Sequence, residues 1–422
     1  MSSVNSLLQF IDQSPTAFHA VASLEKTLMA NNYIKLDETK SWELETNTKY
    51  FVTRSDASTI IFHTPHEITE NTSFKIIGSH TDSPCLKVKS NPLSQKEGFQ
   101  LLNVEIYGGV LLTSWFDKDL LLGGRVFIED EKGKLSSKLI TIDKKLRIPR
   151  LAIHLERNVN KEGFKVNPQE QMSPIMGLDS SLDFESWILK ETGLTGTILS
   201  WDLFLFDAEK SSLGGMEEEF IYAPRLDNLA SVHASFEALI QAENHKTDFQ
   251  LAACFQHEEI GSTSQNGAES NFIEATLQRI NAGMQVTDDF YSILARSFFI
   301  STDMTHAVHP NYVGQHDPNH KPMLNKGPVI KSNANMRYAT DGFSIALFKR
   351  LCKQANVPFQ DFHTRNDMGC GSTIGPMVAS KLGIPTIDIG NAMLSMHSIR
   401  EMSGTKDHDL VIEVFKTFYK NS

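Results

Sequence analysis

Along this chain the spacing of apolar positions changes several times, and each change marks an element. Val4, Leu7, Leu8 and Ile11 recur at helical spacing and predict a short amphipathic helix. Ser14-Pro15 supplies an N-cap followed by proline at the first helical position, predicting a second helix from Pro15 to about Met29. Residues 50–64 alternate loosely and are β-branched, and Phe74 to Ile77 reads as a short apolar strand ending at Gly78. From about residue 91 to 222, short β-like runs (Leu101 to Tyr107, Gly124 to Glu129, Leu139 to Ile142, Thr197 to Phe206) are separated by Gly, Asp and Lys turns. Helices and strands alternate again after Pro224. Helices are predicted from Asp227 to Glu243, near Phe272 to Ile280 and from His408 to Tyr419, with strands over Phe249 to Phe255, Phe298 to Thr302, Pro358 to His363 and Pro385 to Ile389. Such alternation predicts an α/β fold with a mostly parallel sheet flanked by helices. Residues 1–90 and 223–422 would form its main domain and 91–222 a smaller inserted β-rich domain.

Composition narrows the class. The chain has 422 residues, 40% hydrophobic and 22% charged, which excludes collagen-like, coiled-coil and largely disordered chains. Its net charge of -11 gathers into no long run of either sign, so a nucleic-acid partner is not expected. Cys85, Cys254, Cys352 and Cys370 show no CxxC spacing and read as reduced thiols of a cytoplasmic protein. The N-terminus has no Lys or Arg before Lys26, and no apolar run reaches the roughly 18 residues a bilayer span requires, so neither a signal peptide nor a membrane partner is expected.

Candidate chemistry follows the apolar strands: His80 and Asp82 after Ile77, Glu258 and Glu259 after Phe255, and Asp303 after Ile300. Ligands of open α/β sheets collect beyond the carboxyl ends of the strands, so these residues should converge. Adding Asp227 and His397 gives two histidines and several carboxylates, a donor set for zinc, manganese or cobalt. On extended backbone His80 and Asp82 point the same way, so Asp82 can steady the imidazole of His80; the same residues also fit an ordinary polar turn. Glu258 and Glu259, if extended, face opposite ways, leaving one to bind metal and the other to move protons, although such a pair alone is more often a solvated loop. Asp227 fits a helix N-cap equally well. His306, His309, His316 and His320 read as loop histidines.

With these residues assembled, the sequence resembles the aspartyl aminopeptidase family of zinc metallopeptidases over essentially its whole length. The likeness rests on Ser14 to Val21 (SPTAFHAV), Gly78 to Pro84 (GSHTDSP), Pro224 to Asn228 (PRLDN), His257 to Ser262 (HEEIGS) and Cys370 to Pro376 (CGSTIGP), in family order. Met336 departs from the pattern, standing where relatives commonly carry glutamine, and Gly369 is a position where relatives vary. The resemblance implies a zinc exopeptidase-like fold and two Zn2+ per subunit, with Mn2+ or Co2+ as substitutes. His80, Glu259, Asp303 and His397 would be ligands, Asp227 a bridge, Glu258 the general base and Asp82 the partner of His80. It implies hydrolysis of the N-terminal residue of peptides with a free amine, preferring Asp or Glu. Such a preference requires a local cation, for which Lys331, held in a loop by Gly327 and Pro328, is the candidate, although it reads equally well as a surface lysine. It also implies a homo-oligomer, a tetrahedral dodecamer built from dimers, in which His154 reaches a neighbour's site. Read without the resemblance, His154 is a β-strand histidine inside the insertion. A carboxypeptidase or amide deacylase of the same fold and a non-catalytic assembly protein are the alternatives.

Overall fold

The computed structural model describes residues 2–178 and 183–421. The chain divides into two compact units: Met1–Asp82 with Ser211–Met396 and Glu401–Ser422, and Ser83–Lys210 with His397–Arg400.

The first unit is built on a nine-stranded sheet ordered Ile34–Leu36, Lys49–Arg54, Ser58–His63, Phe249–Phe255, Phe74–His80, Phe298–Thr302, Thr386–Gly390, Val329–Ser332 and Gln360–His363. The four strands from Phe249–Phe255 to Thr386–Gly390 run parallel, and antiparallel pairs flank them. Every residue of those four is buried, which is why apolar residues predominate on both of their faces, with Lys75, Gln250 and Asp388 buried among them. Neighbouring side chains point to opposite faces. Ile77, Cys254 and Ile300 pack with helices Ser3–Gln13, Leu226–Gln241 and Thr405–Lys420 through Leu7, Val232 and Phe415. Ile76, Ala253 and Phe299 pack with Phe272–Gly283 and Ile374–Leu382 through Leu277 and Val378. Gly78 permits this closeness: a Cβ there would lie 2.2 Å from the Phe299 ring.

Several expectations shift. The second helix begins at Ala17 with Thr16 at its N-cap, because Ser14 closes the preceding helix by donating its backbone N–H to the Ile11 carbonyl. Helices Gly342–Gln354 and Ile374–Leu382 and strand Val329–Ser332 were not anticipated; the first carries a capping box between Asp341 and Ser344. Lys331 therefore lies in a strand and not in a loop.

The second unit contains a six-stranded antiparallel sheet ordered Leu135–Leu146, Leu120–Glu129, Thr197–Asp207, Cys85–Lys96, Phe99–Tyr107 and Ile175–Leu178. Helix Phe184–Thr192 packs Phe184 and Ile188 into its core. This unit starts at Ser83, earlier than the composition change at residue 91, because Cys85–Lys96 already pairs with Phe99–Tyr107. Phe220–Ala223, at the end of the composition-defined insertion, pairs instead with Glu401–Gly404 of the first unit.

Candidate metal centre

Parallel pairing of Phe74–His80 with Phe249–Phe255 and Phe298–Thr302 delivers the residues that follow these strands to one edge. His80 is 1% exposed. Its Nε2 lies 3.5 Å from Asp227 Oδ1, 3.6 Å from Asp303 Oδ1 and 3.9 Å from Glu258 Oε2. Ligand atoms of His80, Asp227 and Asp303 all fall within 4.8 Å of one another, as do those of His80, Glu258 and Glu259.

The chain reaches this arrangement differently from the extended geometry expected for the two glutamates. Glu258–Ile260 forms a 3₁₀ turn after His257 at φ 67°, so the glutamates project from a tight turn and both reach the cluster around His80. Asp82 organises the turn, its Oδ1 accepting the Glu258 N–H and its Oδ2 the Glu259 N–H, each at 3.2 Å. The His80 Nδ1 lies 3.1 Å from the Asp82 carbonyl oxygen and 3.5 Å from Oδ1, so the backbone carbonyl is the nearer partner of the imidazole.

Asp227 does not cap its helix. The N-cap position is Arg225, and Asp227 has non-helical angles (φ -80°, ψ 104°) with its N–H donated to Glu401 Oε2 at 3.0 Å. Arg225 donates to the carbonyls of Ser14 and Ile11, each at 3.1 Å, while Asn228 Nδ2 donates to the Thr302 carbonyl at 2.9 Å. The PRLDN segment is thus tied both to the first helix and to the strand preceding Asp303. Glu401 went unrecognised in the sequence, where nothing local separates it from a surface glutamate.

Burial works to lower the His80 pKa, but hydrogen bonding to Asp227, Asp303 and Asp82 and the charge of Glu258 raise it well above the ordinary value. Burial, then the neighbouring carboxylates, push Glu258 up to about 8, and burial and Asp227 raise Glu259 well above its usual range. Carboxylates this close and this dry repel one another strongly, and a divalent cation among them relieves that repulsion. One imidazole with several carboxylate oxygens, and no thiolate in these clusters, fits zinc.

Lys331, His397 and His154 were the other residues expected at the site. Lys331 is 3% exposed, with Nζ 3.5 Å from Asp303 Oδ2 and 5.5 Å from the centre of the Tyr338 ring. His397 belongs to the segment His397–Arg400 of the second unit, and its Nδ1 lies 3.0 Å from the Gly109 carbonyl oxygen. His154 stands in an exposed turn of the second unit and not in a strand, correcting the reading made without the resemblance. The loop histidines are more organised than expected: His306, His309 and His316 line a cavity of about 270 Å³ together with Tyr338, Arg365 and Gly371.

A buried histidine–carboxylate cluster at the carboxyl edge of a mostly parallel sheet defines a metal-dependent hydrolase. The profile of the aminopeptidase I zinc metalloproteases (M18) matches residues 10–419, and the chain belongs to that family. It is accordingly a zinc aminopeptidase, hydrolysing peptides at the N-terminus. A probable M18 family aminopeptidase 2 of Pseudomonas aeruginosa is 44% identical over 99% of this chain and 97% of its own length. Among solved structures, Ape4 in a complex with Nbr1 superposes with a TM-score of 0.94 at 39% identity, covering 99% of this chain and 85% of that one. The S. cerevisiae mApe1 dodecamer gives a TM-score of 0.87 at 27% identity, covering 99% and 96%.

Proposed function

We propose that this chain is a two-zinc aminopeptidase of the aspartyl type, working in the cytoplasm as a homo-oligomer. His80, Glu259, Asp303 and His397 would hold the metals, with Asp227 between them. The reading is carried by the meeting of Glu258 and Glu259 beside His80, since one glutamate can ligate while its neighbour handles protons. Zinc bound there supplies Lewis-acid polarisation of the scissile carbonyl and a lowered water pKa. Glu258 accepts the proton of the attacking water and returns it to the departing amine. Asp82 holds Glu258 in place through the backbone, and Asp303 is held against Lys331.

The preference for acidic N-terminal residues is supported by the cavity beside the cluster. Its lining includes the ring nitrogens of His306, His309, His316 and His363, which can donate to a carboxylate, and Arg365, which pairs with Asp367 at 2.6 Å, while Asp317 lies 2.8 Å from His320 Nδ1. Tyr338 lines this cavity and also lies against the Lys331 ammonium, which places the cavity beside Asp303. The cavity thus receives the first side chain of the substrate. Assembly into a dodecamer, the state of the related mApe1, is supported by Leu151, Ile153 and Leu155, three exposed apolar side chains around His154.

Aminoacyl reporters with Asp, Glu, Lys or Leu, each with a free and an acetylated amine, test this reading alongside zinc analysis. Free-amine Asp and Glu reporters should turn over fastest, with two zinc ions per chain. Fastest turnover of Leu would overturn the acidic preference, cleavage of acetylated reporters the aminopeptidase assignment, and one zinc per chain the bridge at Asp227.

A further inference from the structure

The segment Cys370 to Pro376 carries a motif that the metal cluster does not use. Its threonine caps helix Ile374–Leu382, and that hydroxyl donates to Asp388 Oδ1 at 2.5 Å. Asp388 sits in the middle of strand Thr386–Gly390, opposite Ser301 of the strand that leads to Asp303, and is fully buried. Its other oxygen, Oδ2, accepts the Ala339 N–H at 2.7 Å, and its own N–H donates to Thr340 Oγ1 at 2.9 Å. One carboxylate therefore holds two separate segments, 337–341 and 370–375. These are also joined directly, by Arg337 Nε to the Cys370 carbonyl at 3.2 Å and by Ser372 Oγ to the Arg337 carbonyl at 3.1 Å. Gly375 completes the fit, since a Cβ there would stand 2.3 Å from Asp388 Oδ2.

Both segments face the cavity. Tyr338 of the first and Gly371 of the second line it, and the centre of the Tyr338 ring lies 5.5 Å from the Lys331 ammonium, which pairs with Asp303. We infer that Asp388 is a positioning residue for substrate selection: it fixes the separation of the two segments and thereby the width of the cavity and the placement of Lys331. A carboxylate buried in an otherwise apolar strand interior is costly, and such groups persist where they specify a geometry that apolar packing leaves loose. Here the geometry specified is that of two loop segments, which have no ladder of their own to hold them. This inference rests on the reading that the cavity receives the substrate's first side chain.

The test compares Asp388→Ala, Asp388→Asn and Thr373→Val with the unaltered enzyme, measuring kcat and KM on Ala, Asp and Glu reporters together with zinc content and melting temperature. Asp388→Ala should keep its zinc yet lower the Glu-to-Ala ratio of kcat/KM at least about tenfold, as displacements of about 1 Å in positioning groups do. Asp388→Asn should recover most of the ratio, because its amide oxygen can accept the Ala339 N–H while its NH2 donates to Thr373. An equal fall on all reporters, or a loss of zinc, overturns the inference. If Asp388→Ala fails to fold, Thr373→Val, which removes only one hydroxyl, reads the same ratio, and an unchanged ratio overturns it. Should the unaltered enzyme favour aliphatic residues, the acidic reading falls, while a shifted large-to-small ratio in the variants still supports Asp388.

Discussion

Asp82 accepts the backbone N–H of Glu258 through Oδ1 at 3.2 Å, while its Oδ2 takes the next N–H, that of Glu259, at the same distance. One carboxylate at the end of strand Phe74–His80 thus sets the orientation of a turn 176 residues away in sequence. Asparagine in its place presents an NH2 group to one of the two N–H donors, and the turn must move. Asp82→Asn should weaken zinc binding about 10- to 100-fold, as loss of a ligand's supporting partner typically does. Chelator competition measures this, and unchanged affinity would show that the turn holds itself.

Glu258→Gln keeps the shape of the side chain and the backbone bond to Asp82 but cannot accept a proton. Turnover should fall about 100- to 10,000-fold with zinc content retained. A fall of less than about tenfold, below that range, would assign the base elsewhere.

Lys331 is buried against Asp303 and Tyr338, so its ammonium is ordered and dry. Hydrogen bonds to charged groups contribute about 1.5–3 kcal/mol, so Lys331→Met should cut kcat/KM for Asp and Glu reporters roughly ten- to a hundredfold and for Leu reporters much less. Equal losses would mean that Lys331 serves only Asp303.

His154→Ala should lower turnover without changing zinc content or particle size, because the exposed turn that bears His154 is proposed to complete a neighbour's site. Mixing inactive His154→Ala and Glu258→Gln proteins under conditions that exchange subunits should restore some activity, since certain pairs then assemble one intact site. No recovery, with exchange verified by mass, would remove His154 from any shared site.

His233 Nδ1 and His408 Nε2 lie 2.8 Å apart in the core between helices Leu226–Gln241 and Thr405–Lys420, with Ser6 Oγ 3.0 Å and Glu237 Oε1 3.7 Å from His233 Nε2. Burial lowers His408 to about 3, and burial with the neighbouring His408 lowers His233 well below its ordinary value. Unfolded histidine takes up its proton near pH 6.5, so below that pH the unfolded chain binds more protons and stability falls as the pH drops toward 3. His408→Gln should reduce the pH slope of unfolding free energy by about 1.4 kcal/mol per unit between roughly pH 6 and 4. Parallel slopes in denaturant titrations of the two proteins would show that His408 is already charged in the fold.

The strands at the centre were legible in the sequence because a strand buried on both faces is mostly apolar: Phe249–Phe255 and Phe298–Thr302 fall where the apolar runs predicted them. The acidic and histidine residues following such strands were legible as candidates for the same reason, since parallel strands end at one edge. Local pattern could not supply the conformation of Glu258–Ile260, because a Glu-Glu pair carries no periodicity and its turn is held by Asp82 from another strand. Nor could it reveal Glu401 beside the Asp227 N–H, Asp388 beneath Ala339 and Thr373, or Lys331 against Asp303. A side chain's role there depends on which donor or charge lies opposite it, and that is decided when strands distant in sequence take their register, bringing residues such as Ser301 and Asp388 side by side.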